Sequence, residues 1–302
     1  MPNTIDLNDV RLLMQVIEHG SYTAASQAVG IPKSTISQRI VALEKTVGTG
    51  LLRRTSRSFS LTEAGALLLP YARAMDDLAR RIEQELLEQG PEITGTLRIS
   101  CSIVIGQFAL ASLVPKFLDI HPKAAVRVES SNKLIDLVGE GFDMAVRGHS
   151  GLLKDSTLLQ RVVARTPWSL AASPAWIEAN GAPLTPDDLA GHHVLCFASP
   201  QYADWTLHSS DGAMTVVVRP RFASDDMLTL RAAAICGAGI VSLPRYVLNS
   251  ALAGGQLVPV LADWPPPPSS ISVLTPPKAQ SSRLAQSFSD FLAAELPRLV
   301  RS

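Results

Sequence analysis

Six polar side chains crowd one short stretch of this sequence: Lys33, Ser34, Thr35, Ser37, Gln38 and Arg39, within KSTISQRIVALEK. Ile36, Ile40 and Leu43 recur there at helical spacing, so they share one face and leave the polar groups on the others. An ordinary solvent face would carry Glu and Lys. This one carries short hydroxyls, an amide and a guanidinium, with Glu44 as the single acid. Ser and Thr can bond to base edges or phosphates, Gln can pair with adenine, and Arg and Lys pair with guanine or phosphate. The inventory is that of a helix lying in the major groove of a duplex. Just downstream, LLRRTSRSFSLT places Arg53, Arg54 and Arg57 among small polar residues before a strand-like close. A two-stranded wing along a phosphate backbone has this composition. Taken singly, Arg53 and Arg54 have a solvated turn, or a pair with Glu44, as the lesser alternative. Taken together, residues 20–60 hold six basic side chains (Lys33, Arg39, Lys45, Arg53, Arg54, Arg57) against Glu44 alone.

Short helices must position these groups. Leu7, Val10, Leu13, Met14 and Ile17 form a helical stripe ending near Gly20. Ser21 can cap a second helix that ends at Gly30, and its small Ala24, Ala25 and Ala28 permit close helix approach. Pro32 suits the start of the third helix, and Gly48 lies near its far end. Helix, Gly-containing turn and helix make a helix-turn-helix unit.

Residues 62–89 predict one long helix with Thr62 as N-cap. Ala64, Leu68, Tyr71, Met75, Leu78 and Ile82 recur at steps of four and three, a narrow heptad seam that calls for a partner helix. Pairing with a second copy is the favoured reading, and packing within the chain is the alternative. Pro70 lies off the seam and can kink the helix.

After QGPEITG, at residues 89–95, strand-like and helical runs alternate. TLRIS, AVRVES and FDMAVR are expected strands, with helices at about 106–120 and 132–140. TLLQRVVAR, WSLAAS, HVLCF, TVVVRP, GIVSL and ISVLTP follow, then a final helix over roughly 280–296. Such alternation implies parallel sheets with crossover helices. The proline run Pro265–Pro268 reads as an extended crossing.

Bulk properties narrow the class. The 302 residues are 46% hydrophobic and 18% charged with zero formal net charge, which fits several folded domains and no polybasic chain. Cys101, Cys196 and Cys236 sit apart among apolar residues, as free buried thiols in a reducing cytosol would. No signal-peptide pattern or run of 18 unbroken apolar residues is present, so a cytoplasmic protein without a membrane partner is expected. His192–His193 lacks a third ligand at metal spacing. CGAGIVSLP follows a helix and leads into a strand, the reverse of a dinucleotide loop. Asp225–Asp226 suit a helix N-terminus. No Ser-His-Asp order or G-x-S-x-G element appears, so neither an enzyme nor a cofactor is expected.

SYTAASQAVGIPKSTISQRIVALEKTVGTGLLRRTSRSFSLTEAG resembles the LysR-type bacterial transcription regulators. The shared pattern is Ala24–Ala25, Ser37, Leu43–Glu44, Gly48, Leu51–Arg54 and Leu61–Gly65, with Leu52 where the family usually has Phe. Gln38 stands where an Arg is common, which points to a different operator preference. The resemblance spans the whole chain and implies an α/β multi-domain protein. Its parts would be an N-terminal winged helix-turn-helix (1–61), a long linker helix (62–90) and a C-terminal effector domain (91–302). That domain would have two α/β lobes like a periplasmic binding protein, lobe I about 91–163 and 269–302, lobe II about 164–268. The resemblance further implies a homodimer or dimer of dimers, double-stranded promoter DNA and RNA polymerase as partners, and a small-molecule effector between the lobes.

Ser100 and Ser102 follow the first strand of that half, and Ser130 and Ser131 the second. Strand C-termini and helix N-termini of open α/β sheets face the ligand crevice and favour anions. Arg147 closes the third strand and could pair a carboxylate, so a small organic anion is the expected effector. Phe197 and Met227 are expected as apolar walls. The serines could instead merely cap helices. Two other readings stay open. A solute-binding protein or an enzyme built on the α/β half would keep its function without residues 1–90. A ligand-blind DNA-binding protein would show no thermal shift with any metabolite.

Overall fold

The computed structural model describes residues 4–54, 59–87, 92–133, 135–150, 157–197, 203–210, 212–277, 279 and 282–301. The chain divides into two compact units, Met1–Gln89 with Ile135–Gly141, and Gly90–Leu134 with Phe142–Ser302.

The first unit opens with helix α1 (Leu7–Glu18), whose N-cap Asp6 accepts from the Asn8 amide. Ser21 caps α2 (Tyr22–Val29) by accepting from the Ala24 amide, and Gly30 ends it at φ 70°, a left-handed conformation that suits glycine. Helix α3 (Lys33–Val47) ends the same way at Gly48, φ 75°. Strands β1 (Leu52–Arg54) and β2 (Phe59–Leu61) pair antiparallel as the wing. Thr62 then accepts from the Gly65 amide at 3.0 Å and opens α4 (Glu63–Leu87). One core joins these elements: Leu13, Ile36, Ile40, Leu43, Leu51 and Ala72 are each 3% exposed or less. Ala25 sits at 0% exposure among them, so α2 and α3 approach across a methyl group.

The second unit starts with β3 (Gly95–Cys101), then α5 (Ile103–Ile105), a π turn at Gly106–Leu110, and α6 (Ala111–Ile120). By length and composition the Ile103–Ile120 helix could cross a membrane. Here it packs Ile105, Leu110, Leu113 and Phe117 into the lobe core, where Phe117 meets Phe288 edge-on at 4.9 Å. Strands β4 (Ala124–Ser130), β5 (Met144–His149) and β6 (Leu159–Thr166) follow. After Pro167 the chain enters a second lobe with β7 (Trp168–Ala172), α7 (Pro174–Asn180), β8 (Val194–Phe197), β9 (Ala203–Ser209) and β10 (Gly212–Val218), which pair antiparallel as a sheet of their own, and β11 (Pro220–Ser224). Helix α8 (Met227–Ile235), β12 (Ile240–Pro244), α9 (Arg245–Ala253) and β13 (Val258–Val260) complete it. The chain returns through residues 261–268 to β14 (Ser269–Thr275) and ends with α10 (Arg283–Arg301).

The two five-stranded sheets have orders β4-β3-β5-β14-β6 and β11-β8-β12-β7-β13. Both are mixed rather than parallel. β14 runs antiparallel to β5 and β6, and β7 runs antiparallel to β12 and β13, because each is the strand that enters from the other lobe. The helix expected at 132–140 is not formed; among the described residues turns stand there. Ser131 Oγ accepts from the Lys133 amide and Asp136 from the Val138 amide, and such local bonds compete with a helix. β9, β11 and β13 were not foreseen. Of the three free cysteines, Cys101 and Cys196 are buried as expected, whereas Cys236 is exposed at the end of α8.

Candidate functional site

On α3, Lys33, Ser34, Thr35 and Gln38 are exposed, and Ser37 is half-buried. Ile36, Ile40 and Leu43 anchor the opposite face in the core, so the polar strip points outward. Val41, 48% exposed, extends it with an apolar patch. Arg39 Nε lies 2.5 Å from Asp9 and its guanidinium 3.5 Å from Asp6, so it ties α3 to the N-terminus of α1. Arg39 lies one turn beyond Thr35 on the same face, with its side chain 35% exposed and within reach of two acids about thirty residues away. Arg53 is exposed on β1. The Arg54 side chain and all of Arg57 lie outside the described residues. Glu44 is half-buried, and its Oε1 accepts from the backbone amides of Leu51 at 2.7 Å and Leu52 at 3.2 Å. The recognition helix thereby holds the first strand of the wing.

In the second unit a cavity of ≈ 170 Å³ opens between the sheets. Its walls include Val104, Ile105, Trp168, Phe197, Met227, Pro244, Tyr246 and Ile271, with Ser102, Asn132, His149, Thr166, Ser269, Asp225 and Asp226 as polar groups. Trp168 Nε1 donates to Ser269 Oγ at 2.7 Å, tying together the two chain crossings beside the cavity. Asn132 bridges the lobes: its Nδ2 donates to the Asp225 carbonyl at 2.6 Å and its Oδ1 accepts from the Ile103 amide at 3.2 Å. Burial pushes the Tyr246 phenol upward, so it stays neutral.

These two halves match known families in the order they occur. Residues 7–66 match the bacterial regulatory helix-turn-helix proteins of the lysR family, and residues 90–297 match the LysR substrate binding domain. The chain belongs to the LysR family. It is a helix-turn-helix transcriptional regulator with an α/β substrate-binding domain. It is similar to an HTH-type transcriptional regulator of Xanthomonas campestris pv. campestris, 31% identical over 97% of this chain and 86% of that protein. It is likewise 31% identical to the regulator YhjC of Escherichia coli K12, over 95% of this chain and 96% of that one. Among solved structures, the Vibrio cholerae virulence activator AphB shares 30% identity at a TM-score of 0.63, covering 96% of this chain and 99% of that one. CrgA of Neisseria meningitidis shares 28% at 0.61, covering 96% and 98%.

Of the residues expected at this LysR regulator's effector site, Ser102, Phe197 and Met227 line the cavity. Ser100, Ser130, Ser131 and Arg147 do not. Ser100 is buried and accepts from Arg147 Nη2 at 2.7 Å, while Ser130 Oγ lies 3.3 Å from Cys101 Sγ. Arg147 also donates to the carbonyls of Ser131 and Lys133. Burial pulls its pKa below the usual arginine value, and these fixed acceptors take three of its five N–H groups. Arg147 thus braces β3, β5 and the loop after β4, away from the described cavity lining. Arg147→Met is expected to cost the second unit about 2 kcal/mol, because Ser100 and the Ser131 carbonyl lose their donor; urea unfolding at wild-type stability would refute the brace. Asn132, His149, Trp168, Tyr246 and Ser269 were missed. Ser269 sits in the second crossing and Trp168 ends the first, which is the signal that could have found those two.

The α4 seam divides. Ala64, Leu68 and Met75 are partly buried and pack with Ala72 against the core of their own unit. Tyr71, Leu78 and Ile82 remain 65%, 59% and 51% exposed, and Leu67 joins them at 70%. An apolar groove of ≈ 260 Å³ between α1 and α4 runs beside them, lined by Leu7, Ala72, Met75, Leu78 and Ile82 among others.

Proposed function

We propose that this regulator reads promoter DNA as a two-fold dimer. α3 lies in the major groove, with Lys33, Ser34, Thr35, Ser37 and Gln38 meeting base edges and phosphates and Arg53, Arg54 and Arg57 following the backbone. The observation that carries this reading is the exposed polar strip of α3, held outward by Ile36, Ile40 and Leu43 at 0–1% exposure. The polar heads of two copies would meet half-sites one helical turn, about 34–36 Å, apart. A promoter fragment titrated at rising salt tests it. Each phosphate neutralised contributes about 0.9 to the slope of log affinity against log salt. Lys33→Ala and Arg53→Ala are each expected to lower that slope by about 0.9 and to weaken binding to all sequences alike; a flat salt dependence of the wild type would sink the reading.

Pairing in this reading runs through Tyr71, Leu78 and Ile82 on α4, which supply an unpartnered apolar stripe beside an apolar groove. Tyr71→Glu with Ile82→Glu is expected to give monomers by sedimentation velocity and to lower operator affinity at least about tenfold through lost avidity. A double variant that stays dimeric would place the contact elsewhere.

The effector binds in the cavity between the lobes and shifts their closure, which re-spaces the paired heads. A dimer of dimers, contact with RNA polymerase and work in the cytoplasm belong to the same reading. So does the division into head (1–61), linker helix (62–90) and effector domain (91–302).

A further inference from the structure

We propose that the effector is a compact single-ring amine and not a carboxylate. This rests on the reading of the inter-lobe cavity as the effector site. The cavity itself, and not its charges, defines that site; its wall chemistry selects the class of ligand. Trp168, Phe197 and Tyr246 supply three aromatic side chains. Asp225 and Asp226 supply two carboxylates, and no Lys or Arg stands among the described lining residues. A cation is drawn both to aromatic rings and to carboxylates, and cages of this mixed kind are how ammonium groups are held.

The two acids differ in their commitments. Asp226 is used by the fold: its carboxylate accepts from the Leu228 and Thr229 amides and the Thr229 hydroxyl, capping α8. Asp225 is held only through its backbone, where the carbonyl accepts from Asn132. Asp225 is exposed at the cavity wall, and its carboxylate has no partner among the described residues. An incoming carboxylate would meet two like charges there.

Two features that could have drawn an anion are committed elsewhere. Arg147 is not among the described lining residues and spends three of its five N–H groups on Ser100 and two backbone carbonyls. The first amide of α5, on Ile103, already donates to Asn132. Size sets the other limit. A cavity of ≈ 170 Å³ is close to the roughly 150 Å³ void known to accept benzene, so one ring with a short arm fills it.

Three probes of one size separate the classes: benzylamine, benzyl alcohol and benzoate, each titrated against the full chain by calorimetry and by the shift in melting temperature. Benzylamine is expected to bind at least about tenfold more tightly than benzyl alcohol, with benzoate weakest. Asp225→Lys, at an exposed position, is expected to reverse the order of benzylamine and benzoate without changing the melting temperature of the free protein. A wild-type preference for benzoate overturns the proposal. So does failure of benzylamine to bind up to its solubility, or an order that Asp225→Lys leaves unchanged. Gly148→Leu separates this failure from failure of the site. Gly148 lines the cavity, and a Cβ built there meets nothing within 4 Å, so the position has room for a larger side chain at the cavity wall. Benzoate binding that Gly148→Leu abolishes would keep the cleft and remove the amine. Binding of any probe that Gly148→Leu leaves intact would remove the cleft reading itself, and the amine with it.

Discussion

Gly65→Ala is expected to lower the stability of the DNA-binding unit by about 3 kcal/mol or more, measured by urea unfolding. Gly65 lies in the first turn of α4, where alanine would ordinarily gain about 1 kcal/mol in helix propensity. The surroundings reverse the sign. A Cβ at this position would stand 2.1 Å from the Leu51 carbonyl oxygen and 2.8 Å from Leu61 Cδ2. The first of these is backbone and is already engaged, accepting from the Thr62 amide at 3.0 Å. It cannot swing away as a long side chain would. Relief requires α4 to lift off the strand that leads into the wing, which breaks the Thr62 cap and opens the core at Leu51. Gly50→Ala is the control. Its Cβ would meet only Glu44 Oε1, at 3.8 Å, an ordinary contact, so a change within about 0.5 kcal/mol is expected. Equal behaviour of the two variants would defeat the argument.

Glu44→Ala is expected to cost about 2–4 kcal/mol and to weaken operator binding at least about tenfold. Glu44 is the single acid in residues 20–60, and the charge balance of the segment makes it look like a counter-ion for the wing arginines. It serves the backbone as well. One carboxylate oxygen holds the amides of Leu51 and Leu52, residues 2% and 8% exposed, which water cannot easily satisfy. A hydrogen bond to a charged acceptor contributes about 1.5–3 kcal/mol, and the second, at 3.2 Å to the same oxygen of a half-buried side chain, adds less. The DNA defect follows because this contact orients β1 and with it Arg53. Glu44→Gln keeps an acceptor at the same reach and should restore roughly half of the lost stability. A Gln variant no better than Ala would mean that the negative charge matters and the geometry does not.

Much of the fold was legible because it depends on near neighbours. Ser21, Gly30, Gly48 and Thr62 act at helix ends as their types and spacing imply, since a cap is formed within three or four residues of its partner. The final helix shows its buried face at Leu284, Phe288, Leu292 and Leu296, spaced by four, and could be read from period alone. Its end was set too early, because the helix carries on through Pro297 to Arg301. The LysR resemblance placed the head, the long helix and the two lobes. It could not tell which lobe strands run antiparallel, because direction in a sheet follows from where the chain re-enters.

The candidate sites divide along the same line. By itself the sequence determined that one helix presents hydroxyls, an amide and basic groups opposite an apolar anchor, that basic residues cluster beside it, and that a long apolar seam follows. These are properties of spacing and composition. Only the tertiary structure decided which of those groups are available. Arg39 meets Asp9 across 30 residues, Arg147 meets Ser100 across 47, Asn132 meets Asp225 across 93, and Trp168 meets Ser269 across 101. Such pairs satisfy buried or half-buried polar groups, and the partner is whichever atom the packed chain brings within about 3 Å. The α4 seam divided for the same reason: its own head covered Leu68 and Met75 and left Tyr71, Leu78 and Ile82 bare. A helical period records that a face is apolar, but what covers it is set by the packing of the whole chain.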